Sequence, residues 1–261
     1  MMVKLGQLWR LFATAFCFTT FAVGGLIGLT TLWPLLTLAL FWNPDKRHQL
    51  GKRIVQTWFR IFVEIMRFSG VLTYDIRNRD LLSQSGQLIL ANHPSLIDVV
   101  FLIAFTKNAD CVVKNSLLRN PFALGPISMA GYISNSDPND VLETAAASLH
   151  RGNNLIIFPE GTRTTAGAPL SLKRGAANIA LRSEAVIRPV IIKAHPAILT
   201  KDSKWYHIPP EKFQIVIDVK PVISTTDLVD ETQPVTSRRF TAGLQQYFTT
   251  ELALTTADVN A

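Results

Sequence analysis

The stretch QLILANHPSLID, residues 87–98, decides how the rest of the chain is read. Residues 87–91 are a short apolar run, the pattern of a strand buried on both faces. The run stops at Asn92-His93-Pro94, and an apolar, helix-like run follows over residues 95–106. A histidine is thus set at the C-terminal end of a strand, where open α/β sheets carry their chemistry. Asp98 comes five residues later, about one helical turn into the next element. Its carboxylate can therefore fold back onto an imidazole nitrogen.

Such a pair has two readings. A carboxylate on one ring nitrogen fixes the tautomer and stabilises the imidazolium that forms when the other nitrogen takes a proton from a hydroxyl. Equally, Ser95-Leu96-Ile97-Asp98 fits the S-x-x-D capping box, in which Asp98 caps its own helix.

Downstream, residues 154–158 form a second short buried run, followed directly by Pro159-Glu160-Gly161-Thr162-Arg163. This turn also leaves a strand at its C-terminal end, on the same rim as His93 if the two strands run parallel. Gly161 lets the backbone approach a ligand closely, Thr162 supplies a hydroxyl, and Arg163 can grip a phosphate bidentately.

Around these two segments strand-like and helix-like runs alternate. Strands are expected at 71–78, 110–114, 132–134, 186–193 and 213–220. Helices are expected at 140–151, 173–184 and 238–252, while NPFALGP at 120–126 reads as a turn-rich connection. The alternation predicts an α/β fold: a mixed, largely parallel sheet flanked by helices.

Upstream, residues 11–42 contain no charge. As one straight helix they would measure ~48 Å, against a hydrocarbon core of roughly 30 Å. Gly24, Gly25, Gly28 and Pro34 offer places to bend. Cations flank the run on both sides, with Lys4 and Arg10 before it and Lys46, Arg47, Lys52 and Arg53 after it. That symmetry favours a re-entrant or paired-helix anchor over a single tilted span, with both ends on the cytoplasmic face of the inner (cell) membrane. Residues 51–69 carry apolar side chains at helical spacing, suiting a helix in the lipid interface or one packed on the domain. The chain therefore divides into a membrane-anchoring helical segment, 1–69, and an α/β domain, 70–261.

Composition agrees. The 261 residues carry a net charge of +7, yet only 17% are charged and 48% are hydrophobic. A nucleic-acid binder shows dense Lys/Arg clusters with interleaved aromatics. Here the cations are scattered, which speaks against nucleic acid and for an anionic membrane surface. Cys17 and Cys111 make neither a metal spacing nor a disulfide framework, and no His/Cys cluster suggests a metal. No G-x-S-x-G elbow is present.

The two motifs in order, N-H-x-x-x-x-D at 92–98 and F-P-E-G-T-R at 158–163, resemble the glycerolipid acyltransferase family, that of the bacterial 1-acylglycerol-3-phosphate acyltransferases. Lys114 in VVKNSLLRNPF resembles the family's lysine after a strand, and Val186-Ile187-Arg188-Pro189-Val190 its late V-x-P-V strand. The likeness covers roughly residues 70–220, and the apolar N-terminus is similar to the family's helical membrane anchor.

The resemblance implies transfer of a fatty acyl group from a thioester, on coenzyme A or acyl carrier protein, to a lipid hydroxyl, with no further cofactor and no metal. His93 would be the general base and Asp98 its orienting partner. Asn92 would position the site or substrate, and Glu160, Gly161, Thr162 and Arg163 would bind the acceptor's polar head or order the site. Lys114 would add positive charge near a phosphate. Apart from the resemblance, Arg174 opens a helix, where the dipole disfavours a cation, so it could face the donor's phosphates. A main-chain N–H at the start of the helix after Pro94 would serve as oxyanion donor.

One segment departs from the family pattern. Where members that bind glycerol phosphate carry G-x-x-x-I-x-R, residues 131–137 read GYISNSD, without arginine. An amino-lipid or glycolipid acceptor is therefore an alternative, as are a thioester hydrolase and a non-catalytic scaffold binding lipid or acyl carrier.

Overall fold

The computed structural model describes residues 2–164, 169–200, 204–224, 228 and 236–259. Strands β1 (Leu72–Arg77), β2 (Gln87–Ala91), β3 (Ala109–Val113), β4 (Ile133–Ser134), β5 (Asn154–Ile157), β6 (Val186–His195) and β7 (Phe213–Val219) form one sheet, ordered β1-β7-β6-β2-β5-β3-β4. All neighbouring pairs are parallel except the antiparallel β6–β7. The sheet is thus mixed and largely parallel, as the alternation predicts.

β2 lies at its centre, and all five of its residues are buried. Its side chains alternate between two cores. Ile89 and Ala91 face one that holds Phe59, Phe62, Phe101 and Ile215, and Leu88 and Leu90 face another that holds Leu155, Ala176, Phe240 and Phe248. Each fully buried Leu or Ile stabilises by about 1.5–3 kcal/mol. This period of two is why a central strand with both faces covered is apolar at consecutive positions, here residues 88–91.

Helices α3 (Pro44–Phe68), α4 (Asp98–Phe105) and α5 (Pro121–Ala130) belong to the first core; α6 (Pro138–His150), α7 (Arg174–Ser183) and α8 (Ser237–Val259) cover the other face. The amphipathic run therefore packs on the domain. α3 buries Val55, Phe59, Phe62, Val63 and Met66 in the core it shares with the sheet, leaving Ile61 and Phe68 exposed. It begins before the apolar spacing does, because Pro44 occupies the first turn and the Asn43 side chain caps it, accepting from Lys46 N at 3.0 Å.

The segment at 120–126 is a helix rather than a connection. Asn120 Oδ1 caps α5 by accepting from Phe122 N at 3.0 Å, Pro121 takes the first turn, and Pro126 sits within. Pro126 cannot donate to the Phe122 carbonyl. That carbonyl instead meets the first helix at Gly25, where a Cβ would lie 1.9 Å from its oxygen.

The N-terminal stretch is one helical run, α1 (Met2–Ile27), a π-helical turn (Gly28–Leu32) and α2 (Trp33–Ala39). The wide turn lies ahead of Pro34, whose ring would clash with the carbonyl four residues back in a regular helix. The glycines expected to bend the helix instead admit neighbours: Gly24 meets the Trp58 ring and Gly28 meets α5 at Met129 and Gly125. Over residues 40–43 the chain reverses, and α3 runs back, so that Trp9 Nε1 donates to Ser69 O at 3.0 Å. Residues 5–39 are long and apolar enough to cross a membrane. Leu5, Leu8, Trp9, Phe12, Phe16, Leu35 and Leu38 are exposed.

Candidate active site

β2 and β5 pair in parallel with Leu90 opposite Ile157, so both strands end at the same level of one edge. The turn after β2 and the turn after β5 therefore emerge side by side. The helix expected from Ser95 begins at Asp98. Residues 95–97 form a turn that swings Asp98 beneath His93.

His93 Nδ1 and Asp98 Oδ2 are 3.0 Å apart, the imidazole 16% exposed and the carboxylate fully buried. The same Oδ2 accepts the main-chain N–H of Ser95 at 2.6 Å. One oxygen thus serves the ring and closes the turn before α4. The capping box itself does not form: α4 starts at Asp98, with no side-chain cap, and Ser95 Oγ has no hydrogen-bond partner among the described residues. Burial raises the Asp98 carboxyl above the usual aspartate range, opposed by His93 and the Ser95 N–H. Its place in the first turn of α4 puts it at the positive end of the helix dipole, which favours the charge.

The imidazole is held on other sides as well. Phe158 stacks on it with centroids 4.1 Å apart and planes at 22°. The His93 N–H donates to Glu160 Oε1 at 2.9 Å, Thr164 Oγ1 donates to the same oxygen at 2.8 Å, and Thr164 N donates to His93 O at 2.7 Å. With Nδ1 facing Asp98, Nε2 is the nitrogen left to exchange a proton with a substrate.

A family model described as Acyltransferase matches residues 73–193, which include β2, the His93 turn, β5 and the Glu160 turn. Those residues are similar to the acyltransferase family. A 1-acyl-sn-glycerol-3-phosphate acyltransferase of Pseudomonas aeruginosa is 29% identical over 165 residues, 59% of this chain and 63% of that protein. Proteins of the same name from Helicobacter pylori (32% over 114 residues, 41% of this chain and 48% of that one) and Saccharomyces cerevisiae (26% over 193, 70% and 62%) are also similar. The matched stretches span less than two thirds of these relatives. The structure of the 1-acyl-sn-glycerophosphate (LPA) acyltransferase PlsC from Thermotoga maritima superposes with a TM-score of 0.67 over 99% of both chains, at 16% identity, and shares the fold.

The other expected residues divide. Gly161 (φ +69°) and Thr162 are exposed at the tip of the turn, and Lys114 is exposed at the C-terminal end of β3, on the same edge. Asn92 is not a substrate contact: its amide is engaged by β6, donating to Ile192 O and accepting from Ile192 N, each at 2.7 Å. Nor is Arg163 turned to an acceptor headgroup through Nη1, which donates to Leu199 O at 2.9 Å and Thr200 O at 2.8 Å. The N–H groups of Ser95 and Leu96 are taken by Asp98 and Leu199 O, so neither serves as oxyanion donor. Arg174 is exposed at the start of α7.

Three side chains around the site have no counterpart in the sequence reading. Phe158 opens the F-P-E-G-T-R motif, but nothing in the sequence gives it the imidazole as a stacking partner. Thr164 lies one residue beyond the motif, where only a hydroxyl hinted at it. Lys173 lies over Gly161, its Cδ 3.2 Å and Nζ 3.4 Å from where a Cβ would stand, and its N–H donates to Pro159 O at 2.8 Å. In the segment lacking arginine, Asn135 Oδ1 accepts from Asn115 N at 2.8 Å, and Ser134 Oγ lies 3.5 Å from Asn115 Oδ1.

Proposed function

We propose that the protein is a membrane-associated O-acyltransferase. It moves a fatty acyl group from a thioester on coenzyme A or acyl carrier protein to the hydroxyl of a lyso-lipid such as 1-acylglycerol-3-phosphate. The observation that carries this reading is the 3.0 Å approach of His93 Nδ1 to the buried Asp98 carboxylate, on the edge that also bears the Glu160 turn. A carboxylate on Nδ1 keeps the proton there and leaves Nε2 basic.

Nε2 takes the proton of the acceptor hydroxyl as its oxygen attacks the thioester carbonyl carbon. The tetrahedral intermediate collapses by breaking the carbon–sulfur bond, and the proton passes from the imidazolium to the departing sulfur. Asp98 stabilises the imidazolium while it exists, and Phe158 keeps the ring in plane. No enzyme nucleophile is needed, because the acceptor oxygen attacks directly. Gly161 and Thr162 at the turn's tip, with Lys114 and the Lys173 ammonium, would meet the acceptor's polar head.

The membrane assignment rests on the apolar run at residues 5–39 and its exposed Leu, Phe and Trp side chains. We place the protein at the inner (cell) membrane with the domain on the cytoplasmic face, on the strength of the flanking cations.

A second reading, an amino-lipid or glycolipid acceptor, is favoured by one observation: residues 131–137 offer Asn and Ser, which cannot neutralise a phosphate dianion. Purified protein in detergent with labelled acyl thioester and a panel of lyso-lipids tests both. Transfer that disappears in His93→Ala supports the acyltransferase, and the accepted lyso-lipid separates the two acceptors. Acyl release without acceptor would mark a hydrolase, and binding without turnover a scaffold; either result overturns the proposal.

A further inference from the structure

Between the first helix and α3 lies an open trough of about 620 Å³. Thr20, Val23 and Gly24 of α1 line one side, Ile54 and Trp58 of α3 the other, and Met129 of α5 completes it. Small residues leave the space: Thr19, Thr20 and Gly24 on α1 share it with Thr57 on α3. The three hydroxyls are spent on their own helices. Thr19 Oγ1 donates to Ala15 O at 2.9 Å, Thr20 Oγ1 to Phe16 O at 2.8 Å and Thr57 Oγ1 to Arg53 O at 2.8 Å. The walls therefore offer water few partners, and an apolar chain fills such a space better.

The trough opens onto the surface already assigned to the bilayer. Val23, Ile27 and Ile61, all on its wall, are each 49% exposed. Val23 and Ile27 continue along α1 the stripe on which the exposed Phe12 and Phe16 lie. One wall residue is charged. Arg53 is exposed and has no ion-pair partner among the described residues. Lys46, two turns earlier on the same side of α3, is exposed and equally without one.

We propose that this trough is a binding site for one anionic bilayer phospholipid, an acyl chain along its apolar walls and the phosphate on Arg53. A guanidinium grips a phosphate bidentately, and the volume lies in the range of ligand sites. The lipid held here is not an acceptor on its way to the base. Lys52, beside Arg53, pairs with Asp110 near the start of β3, which is the sheet edge opposite His93. A headgroup on Arg53 therefore stands at the far edge from the imidazole. The inference rests on the membrane association proposed above and is independent of acyl transfer.

The full chain, stripped of lipid in detergent micelles, is titrated with phosphatidylglycerol and with phosphatidylcholine of the same chains, and bound lipid is counted by native mass spectrometry. One phosphatidylglycerol is expected to bind at least fivefold more tightly than phosphatidylcholine, as one or two cations beside an anionic headgroup predict. Arg53→Gln should remove most of that preference. Thr20→Phe, which fills the trough, should weaken both lipids about tenfold. Val23→Phe fills it from a half-exposed position and decides the matter should Thr20→Phe lower Tm. Glycerol 3-phosphate, a headgroup without a chain, should not displace the lipid. Equal affinity for the two lipids, a preference intact in Arg53→Gln, unchanged binding in a folded filler variant, or displacement by glycerol 3-phosphate each overturns the site. Sedimentation with vesicles of the same two lipids separates this failure from the other. A chain that stays off the vesicles sinks the membrane association and the site with it, whereas one that partitions without preference overturns the site alone.

Discussion

The main-chain N–H of His93 ends on Oε1 of Glu160 at 2.9 Å, a hydrogen bond between residues 67 apart in the chain. Thr164 closes the ring by donating to His93 O and to the same Glu160 oxygen. The glutamate of the second motif thus holds the backbone of the histidine of the first. Glu160→Gln keeps an acceptor oxygen at this place and is expected to retain most of the activity. Glu160→Ala leaves a buried N–H unpaired and should cost about 1–3 kcal/mol of stability and a large part of kcat. Urea unfolding in detergent and initial rates compare the two variants.

Asp98→Asn should keep the fold, since an amide oxygen can still accept from Ser95 N. That oxygen still faces His93 Nδ1 but carries no charge to stabilise the imidazolium, and kcat is expected to fall by up to roughly 10⁴, the loss seen when the carboxylate partner of a catalytic histidine is neutralised in serine proteases. A variant that melts much earlier but works normally per folded molecule would instead make Asp98 a helix cap alone. Tm and kcat measured on one preparation separate the outcomes.

The pH dependence of rate and of stability should have opposite signs at this residue. In the proposed mechanism Asp98 works as a carboxylate, and burial raises its pKa above the ordinary aspartate value. The acid limb of kcat/KM is therefore expected above the range of a solvated aspartate. Folded protein also binds this proton more tightly than unfolded chain, so Asp98 adds stability as pH falls from its folded pKa towards its unfolded one. Rate profiles and Tm over the same pH series check both, and Asp98→Asn should remove the residue's contribution to each.

Away from the site, Lys52 of α3 and Asp110 of β3 form an ion pair at 2.7 Å with side chains 8% and 5% exposed, and Ser148 Oγ also donates to Asp110. Lys52→Met leaves a buried carboxylate without its cation and should destabilise by about 3–5 kcal/mol. Asp110→Asn in the same background is expected to recover part of the loss. Acyl transfer per folded molecule should stay unchanged, because Asp110 sits in the N-terminal half of β3, away from the His93 edge.

Two truncations test what the N-terminal helices do. Removing residues 1–42 strips the exposed apolar run and leaves α3 in the core; this fragment is expected to fold and to partition less into vesicles. Removing residues 1–69 takes away Val55, Phe59, Phe62, Val63 and Met66 and uncovers the face of the sheet that carries Ile89. That fragment should aggregate. Size-exclusion chromatography and vesicle sedimentation report both.

The elements legible in the sequence are those whose signal is local. β2 and β5 read correctly because a strand covered on both faces shows as an unbroken apolar run, here residues 88–91 and 155–157, with the buried Gln87 and Asn154 joined at their starts by a hydrogen bond from Gln87 N to Asn154 Oδ1. The contact between His93 and Asp98 was legible because only five residues separate them, although a turn at 95–97 rather than a helical turn closes it. α5 was hidden because its two prolines, Pro121 and Pro126, mark turns in most contexts, and only the Asn120 cap and the contact with Gly25 make a helix of it. The glycines of the first helix read as hinges, whereas the space they leave is filled by α5 and the Trp58 ring.

The order of residues by itself determined a largely parallel sheet, an edge on which its chemistry sits, and an imidazole with a carboxylate one turn away, because periodicity and short spacing act within a few residues. Only the tertiary structure decided that Asn92 and Arg163 bind this protein's own backbone, that Phe158, Thr164 and Lys173 close around the site, and that α3 belongs to the core. Those outcomes depend on which distant carbonyl or ring happens to lie within about 3–4 Å, and a side chain's residue type alone carries no record of its distant neighbours.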